Sequence, residues 1–254
     1  MLLRDPARPD EVMLVDTGDD PEKLTACLDR FGVHRIALLV LSHDDRDHVG
    51  ALTAVVERVD AALIAPAARE QRSEVREVVR RLEAAGVPAR IATAGMHGGA
   101  GAEAIAPDTG LRWEVLAPEP AADPVDTNAA SIVLRVAAGA TRVLLLGDTG
   151  RDEQRALLAG GADLRAEVLK VSHHGSRDQD QRLAARAGAP WAVISVGAGN
   201  GYGHPAAETL AALAQAGTRT LRTDRFGSIA LSPGAAGLQL WVERVGGSGD
   251  GGQP

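Results

Sequence analysis

Seven consecutive residues, Ser42-His43-Asp44-Asp45-Arg46-Asp47-His48, contain the pattern His-x-Asp-x-Asp-His. Imidazole and carboxylate are common donors for divalent cations. With a sharp backbone turn, the two histidines and two spaced aspartates could hold one or two such ions. Three further segments repeat the theme of an apolar run that ends in polar chemistry. Leu144-Leu145-Leu146-Gly147-Asp148-Thr149 ends on a single carboxylate, and Leu169-Lys170-Val171-Ser172-His173-His174-Gly175-Ser176 on two histidines. On extended backbone, neighbouring side chains point to opposite faces. One of His173 and His174 would then face a given ion; His173 is the favoured ligand, with His174 left to contact substrate or support the ligands. Asn200-Gly201-Tyr202-Gly203-His204-Pro205 is the last of the set. Its glycines allow close backbone approach to a ligand, and His204 could protonate a leaving group or bond a phosphoryl oxygen.

Each segment alone has an ordinary reading: a solvated turn, a Gly-Asp turn, surface histidines, a loop histidine. Recurrence at successive strand ends, where α/β proteins build their sites, is what points to one chemistry. His34 and His97 lie outside any such setting and read as structural or surface residues.

The elements that must position these groups follow from periodicity. Strands are expected at Val12 to Val15, Ile36 to Leu41, Leu63 to Ala65, Leu111 to Ala117, Ser131 to Ala137, Arg142 to Leu146, Val168 to Val171 and Ala192 to Val196. Three more are expected near Thr218 to Arg222, Ser228 to Leu231 and Leu238 to Val242. Helices are expected at Pro21 to Phe31, Gly50 to about Val59, Ala67 to Ala85, Gln179 to Ala187 and Ala206 to Ala216. Gly95 to Gly101 and Pro118 to Val125 read as loops. Strands this numerous, mixing hairpins and crossovers, suit two mixed sheets with helices outside, in one α/β domain over 1–245. The Gly-rich tail 246–254 reads as disordered.

Composition limits the chemistry. Cys27 is the sole cysteine, so an internal disulfide and a thiolate zinc site are excluded. Aromatic residues make up 2% of the chain, too few for an extensive base-stacking surface. The net charge of −7 argues against a wide basic footprint for DNA, although bound divalent cations would reverse the field locally. No segment has the apolar length of a membrane span and the first residues are not a signal peptide, so a free chain is expected to be cytoplasmic.

In kind and in order, these residues resemble the metallo-β-lactamase superfamily: Asp16 in a first Asp motif, His43 to His48, Asp148 as a bridging carboxylate, and a later histidine. Within it, the chain resembles the hydrolase domain of ComEC-type DNA-internalisation (competence) proteins. The features that carry this are Asp45 where the superfamily usually has His, Asn128-Ala129-Ala130-Ser131 in place of its third-motif His, the double-His motif, Tyr202-Gly203-His204-Pro205 and Thr223-Asp224-Arg225-Phe226-Gly227. The resemblance covers Val12 to Leu240. The family's opening strand is missing or replaced by Leu2 to Glu11, which would suit a truncated domain, and the family's channel-forming segments are absent.

The resemblance implies a four-layer αββα sandwich of two mixed sheets and two divalent ions, Mn²⁺ or Zn²⁺. It implies His43, Asp45 and Asp148 on one ion and Asp47, His48, Asp148 and His173 on the other. Asn128 or Ser131 would complete a ligand shell or touch substrate. Ser176, Arg177 and Tyr202 would contact substrate, Arg177 by a forked phosphate contact. The reaction implied is attack of a metal-bridged hydroxide on phosphorus, with Asp47, His174, His204 and Asn128 in catalytic roles. DNA or another phosphodiester is the implied partner, together with association with a membrane DNA channel and, for a fragment of a competence protein, an extracytoplasmic location. The chain itself is expected to make no membrane contact. Hydrolysis of a small ester, lactone or cyclic phosphodiester, or a non-catalytic binding role, are the alternatives.

Overall fold

The computed structural model describes residues 1–69, 73–99, 110–120, 122–235 and 237–244. The contacts divide into two compact units, Met1–Arg142 with Gly147–Thr149, and Val143–Leu146 with Gly150–Pro254. The tail 246–254, expected to be disordered, lies outside the described residues.

The first unit opens with β1 (Leu2–Asp5), β2 (Arg8–Val15), helix α1 (Pro21–Arg30), β3 (Leu38–Leu41) and the single turn α2 (Arg46–Val49). It continues through β4 (Ala62–Ile64), α3 (Ser73–Ala84), β5 (Ala89–Ile91), β6 (His97–Gly99), β7 (Leu111–Ala117) and β8 (Val133–Ala138). β1 to β5 form a sheet in sequence order, antiparallel between β1 and β2 and parallel thereafter. β6, β7 and β8 pair antiparallel, and β1 lies against β7 and β8.

All four residues of β3 are buried, as a continuous apolar run predicts for a strand covered on both faces. Leu39 and Leu41 pack on the helix side with Leu28 of α1 and Val78 and Leu82 of α3. Helix α1 starts on Asp20, whose carboxylate accepts the Glu22 and Lys23 N–H groups, with Pro21 following, a preorganised N-terminus.

In the second unit, β9 (Thr141–Leu145), β10 (Val168–Lys170), β11 (Trp191–Ile194) and β12 (Arg219–Arg222) are joined in parallel pairs in that order. Helices α4 (Arg151–Ala159), α5 (Arg182–Ala187) and α6 (Ala207–Gln215) connect them. The short α7 (Thr223–Phe226) and the hairpin β13 (Ile229–Gly234)–β14 (Gly237–Val242) end the described chain.

The class, α/β with mixed sheets, is as expected. Several local readings are corrected. The helix expected from Gly50 to Val59 is two 3₁₀ turns, Leu52–Ala54 and Val56–Arg58. Thr53, Val55, Val56 and Val59 are β-branched and disfavour α-helix. The start of the Gly95 loop pairs as β6 instead. Helix α4, β5 and β1 had not been expected, and β1 forms within the Leu2 to Glu11 segment. Among the described residues, no helix is long and apolar enough to cross a membrane.

Candidate metal centre

The first unit gathers His43, Asp45, Asp47, His48 and Asp148. His43 to Asp45 follow the end of β3, and Asp45 is the N-cap of α2. Its carboxylate makes no capping bond; instead Thr127 donates its hydroxyl to Asp45 Oδ1 at 2.9 Å. The helical turn then brings Asp47 and His48 round. Asp148 follows Gly147, which sits at φ +53° with Ser131 so close that an added Cβ would lie 2.8 Å from the serine Cβ. Only glycine fits there. Ser131 Oγ accepts the Asp148 N–H at 3.0 Å.

Asp16 anchors the histidines from behind. Its carboxylate accepts from Ser42 N at 2.8 Å, Ser42 Oγ at 2.9 Å and His48 Nδ1 at 2.8 Å. The residue holds φ +59°, a region Asp tolerates better than most. The network fixes both tautomers. With its Nδ1 proton given to Asp16, His48 points Nε2 forward. Ser42 gives its one hydroxyl proton to Asp16, so at 3.2 Å it accepts from His43 Nδ1, and His43 Nε2 carries the lone pair. This is how metal-ligating histidines are commonly oriented.

The forward-facing atoms converge. His43 Nε2 lies 3.8 Å from Asp45 Oδ2 and 3.9 Å from Asp148 Oδ2. His48 Nε2 lies 3.6 Å from Asp47 Oδ2 and 3.4 Å from the same Asp148 oxygen. Donors bonded at about 2 Å to one cation lie roughly 3–4 Å apart, so these separations fit coordination. The donor atoms of His43, His48 and Asp148 all lie within 4.8 Å of one another, and all three residues are buried. His43 Nε2 is buried with no hydrogen-bond partner among the described residues, a costly state that a cation relieves. The residues fit a divalent cation.

Electrostatics agree. Burial, then the His48 charge, push His43 below the usual histidine range. Burial would depress His48 as well, but the carboxylates of Asp16 and Asp148 overcome it and hold its pKa at about 10. Burial raises Asp16, yet His48 and Ser42 bring it down to about 2. The metal-free centre therefore carries a proton on His48 that a cation must displace. Calorimetric titration with Zn²⁺ or Mn²⁺ at neutral pH, in buffers of different ionisation enthalpy, should show release of about one proton per chain.

The other expected residues sit as follows. Asp47 is half-exposed, at 55%. Ser131 is fully buried, so its hydroxyl positions Asp148 from behind. Ser176 is also buried; its hydroxyl accepts the Asp178 N–H and its carbonyl the Thr209 hydroxyl. In the second unit, His173 and His174 are half-buried and their backbone is not extended: they take φ 44° and 52°, ahead of Gly175 at 84°. The opposite-face argument for His173 lapses with it. His174 Nδ1 donates to the Ser195 carbonyl at 2.7 Å. The His204 ring lies 5.6 Å from His173 and 6.1 Å from Tyr202, on which it stacks at 21°. Tyr202 is 86% exposed, and Arg177 is exposed.

Two supporting groups had no part in the expected site list. Thr127 acts across 82 residues of sequence, and no local pattern marks it. Ser42 was visible only as the residue before His43.

Residues 1–195 match the family described as "Metallo-beta-lactamase superfamily". The chain is 30% identical over 238 residues to competence protein ComA of Neisseria gonorrhoeae, covering 92% of this chain and 31% of that protein. It is 28% identical over 200 residues to ComE operon protein 3 of Bacillus subtilis (strain 168), covering 78% of this chain and 25% of that protein. The chain thus spans a quarter to a third of the length of these relatives. Among solved structures, the metallo-β-lactamase fold protein YhfI of B. subtilis superposes with a TM-score of 0.53 at 12% identity, over 92% of this chain and 88% of that one.

Proposed function

The chain belongs to the metallo-β-lactamase superfamily, and from that premise we propose that it is a metal-dependent phosphodiesterase acting on DNA. One observation carries the reading: Asp148 Oδ2 stands 3.9 Å from His43 Nε2 and 3.4 Å from His48 Nε2, between two imidazole–carboxylate pairs. A carboxylate shared in this way suits two cations side by side, Mn²⁺ or Zn²⁺. When bound, such a pair supplies Lewis-acid stabilisation and an activated nucleophile for in-line displacement at phosphorus. Asp45 supplies an oxygen donor, which favours harder ions. Asp16 and Ser42 hold the imidazoles, and Thr127 and Ser131 hold the carboxylates.

In the second unit, His173 is assigned as a ligand and His174 to supporting the ligands or touching substrate, both on family resemblance alone. His204 is assigned to the proton of the leaving oxygen, Arg177 to a non-bridging phosphate oxygen, and Tyr202 to substrate contact. The named relatives are competence proteins; by analogy this chain would process DNA beside a membrane channel, on the extracytoplasmic face.

The acidic balance, a net charge of −7, favours a second reading in which the substrate is a small ester, lactone or cyclic phosphodiester needing no polyanion track.

The test is cleavage of single- and double-stranded DNA by metal-stripped protein resupplied with Mn²⁺, Zn²⁺ or Mg²⁺, beside Asp47→Ala. Cutting that needs metal and falls by at least about 100-fold in the variant is the expected result. Tight metal binding without DNA cutting would pass the reading to the small-substrate alternative.

A further inference from the structure

Asn200 grips the backbone of His204 at two points. Its Nδ2 donates to the His204 carbonyl at 2.8 Å, and its Oδ1 accepts the His204 N–H at 3.2 Å. Nδ2 also donates to the Gly197 carbonyl at 3.3 Å. Donor and acceptor ends of the amide each face their complement, so its orientation is set by its partners. Asn200 acts as a strand neighbour would and closes the loop on the residue that carries the His204 ring.

The loop needs such a clamp because its ends are fixed and its interior is not. At the start, the Val196 N–H donates to Thr223 Oγ1 at 2.7 Å, and that hydroxyl donates to the Val196 carbonyl at 2.8 Å. At the finish, the Ala206 N–H donates to the Gly175 carbonyl at 2.8 Å. Pro205 sits so close to Gly175 that a Cβ added there would lie 2.5 Å from the proline Cβ. Between Val196 and His204, four of the seven residues are glycine, and Gly199 and Gly203 hold φ +71° and +74°. Glycine loses more backbone freedom on ordering than any other residue, so fixed ends alone define this interior poorly. The Asn200 amide restrains it from within. The His204 ring is thereby held 5.6 Å from that of His173 and stacked on Tyr202 at 6.1 Å.

We propose that Asn200 is a positioning residue for proton transfer: its amide holds His204 where the ring can protonate the oxygen that leaves phosphorus. The inference rests on the role assigned to His204 above and adds the residue that keeps it in place. As the bond between phosphorus and that oxygen breaks, the His204 ring gives the oxygen a proton. An alkoxide, as released from DNA, is strongly basic and needs that proton, whereas nitrophenolate departs without it. The importance of Asn200 therefore depends on the leaving group, which that of a merely structural residue does not.

The experiment compares the full chain with Asn200→Ala, His204→Ala and the double variant. Exchange of the His204 amide proton is followed by NMR in metal-free wild type and Asn200→Ala. With Mn²⁺ restored, kcat and KM are measured on thymidylyl-thymidine, which releases an alkoxide, and on thymidine p-nitrophenyl phosphate. Exchange should quicken by at least about tenfold in Asn200→Ala. Its kcat should fall at least about tenfold further on the dinucleotide than on the nitrophenyl ester, as for His204→Ala. The double variant should be no slower than His204→Ala, and Mn²⁺ affinity should stay level. Unchanged exchange, equal losses on both esters, or weakened Mn²⁺ binding in Asn200→Ala would overturn the proposal. A leaving-group effect in His204→Ala alone would overturn it while sparing the role of His204. No such effect in His204→Ala, or no turnover of either ester by wild type, would remove that role and this inference with it.

Discussion

Asp148→Asn protein folds but loses its cation: affinity for Mn²⁺ or Zn²⁺ falls by at least about 100-fold, and hydrolysis falls with it below detection. The size of the effect follows from sharing. One oxygen serves both imidazole–carboxylate pairs, at 3.9 and 3.4 Å, so its loss removes a donor from each. The fold survives because asparagine keeps the volume of a residue only 3% exposed, and the backbone N–H still reaches Ser131 Oγ. Equilibrium dialysis against Mn²⁺ with parallel thermal melting checks both halves. Retention of wild-type affinity in a folded variant would mean that Asp148 is not a ligand.

Asp16→Asn weakens cation binding by about 10- to 100-fold although Asp16 faces away from the donors. The carboxylate orients His48 through a 2.8 Å bond to Nδ1 and orders Ser42 through two more. Asparagine tolerates the positive φ but cannot accept three hydrogen bonds with a full negative charge. The variant has a second signature, in the pH dependence of the metal-free protein. Asp16 falls from 3.8 to about 2 on folding, so its contribution is present above pH 3.8 and lost as pH falls through about 2. His48 rises from 6.5 to about 10, so its contribution is full below pH 6.5 and lost as pH rises through about 10. Metal-free wild type should be most stable between pH 3.8 and 6.5 on this account. Asp16→Asn should flatten that maximum in denaturant titrations run across the range. A maximum that survives in the variant would have another origin.

Sequence reading reached the site through its strands. β3 and the end of β9 are apolar runs that close shortly before His43 and Asp148, and such runs are hard to mistake. The ligand candidates were legible because histidine and aspartate at strand ends have few structural uses. The supports were not. Thr127 meets Asp45 through a turn whose path depends on the whole first unit, and nothing in the sequence showed that Ser131 accepts the Asp148 N–H. Helix α4 escaped notice because seven of its nine residues are at least partly exposed, leaving little apolar periodicity to read. The handed turn at His173 was hidden for a different reason. Nothing local predicts left-handed backbone at two successive histidines; tertiary contacts impose it.

That turn has a practical consequence for engineering. His173, His174 and Gly175 form a left-handed run, pinned by the Ser195 carbonyl on His174, the Ala206 N–H on Gly175 and the Thr209 hydroxyl on Ser176. L-residues resist this conformation by roughly 1–2 kcal/mol each, whereas glycine enters it freely. A search for stabilising substitutions will therefore rank glycine above histidine at both positions. Hits there would raise the melting temperature while stripping out the imidazoles. Thermostability screens on this protein need an activity or metal-binding counter-screen, because the most rewarding backbone positions are also those proposed above to carry its chemistry.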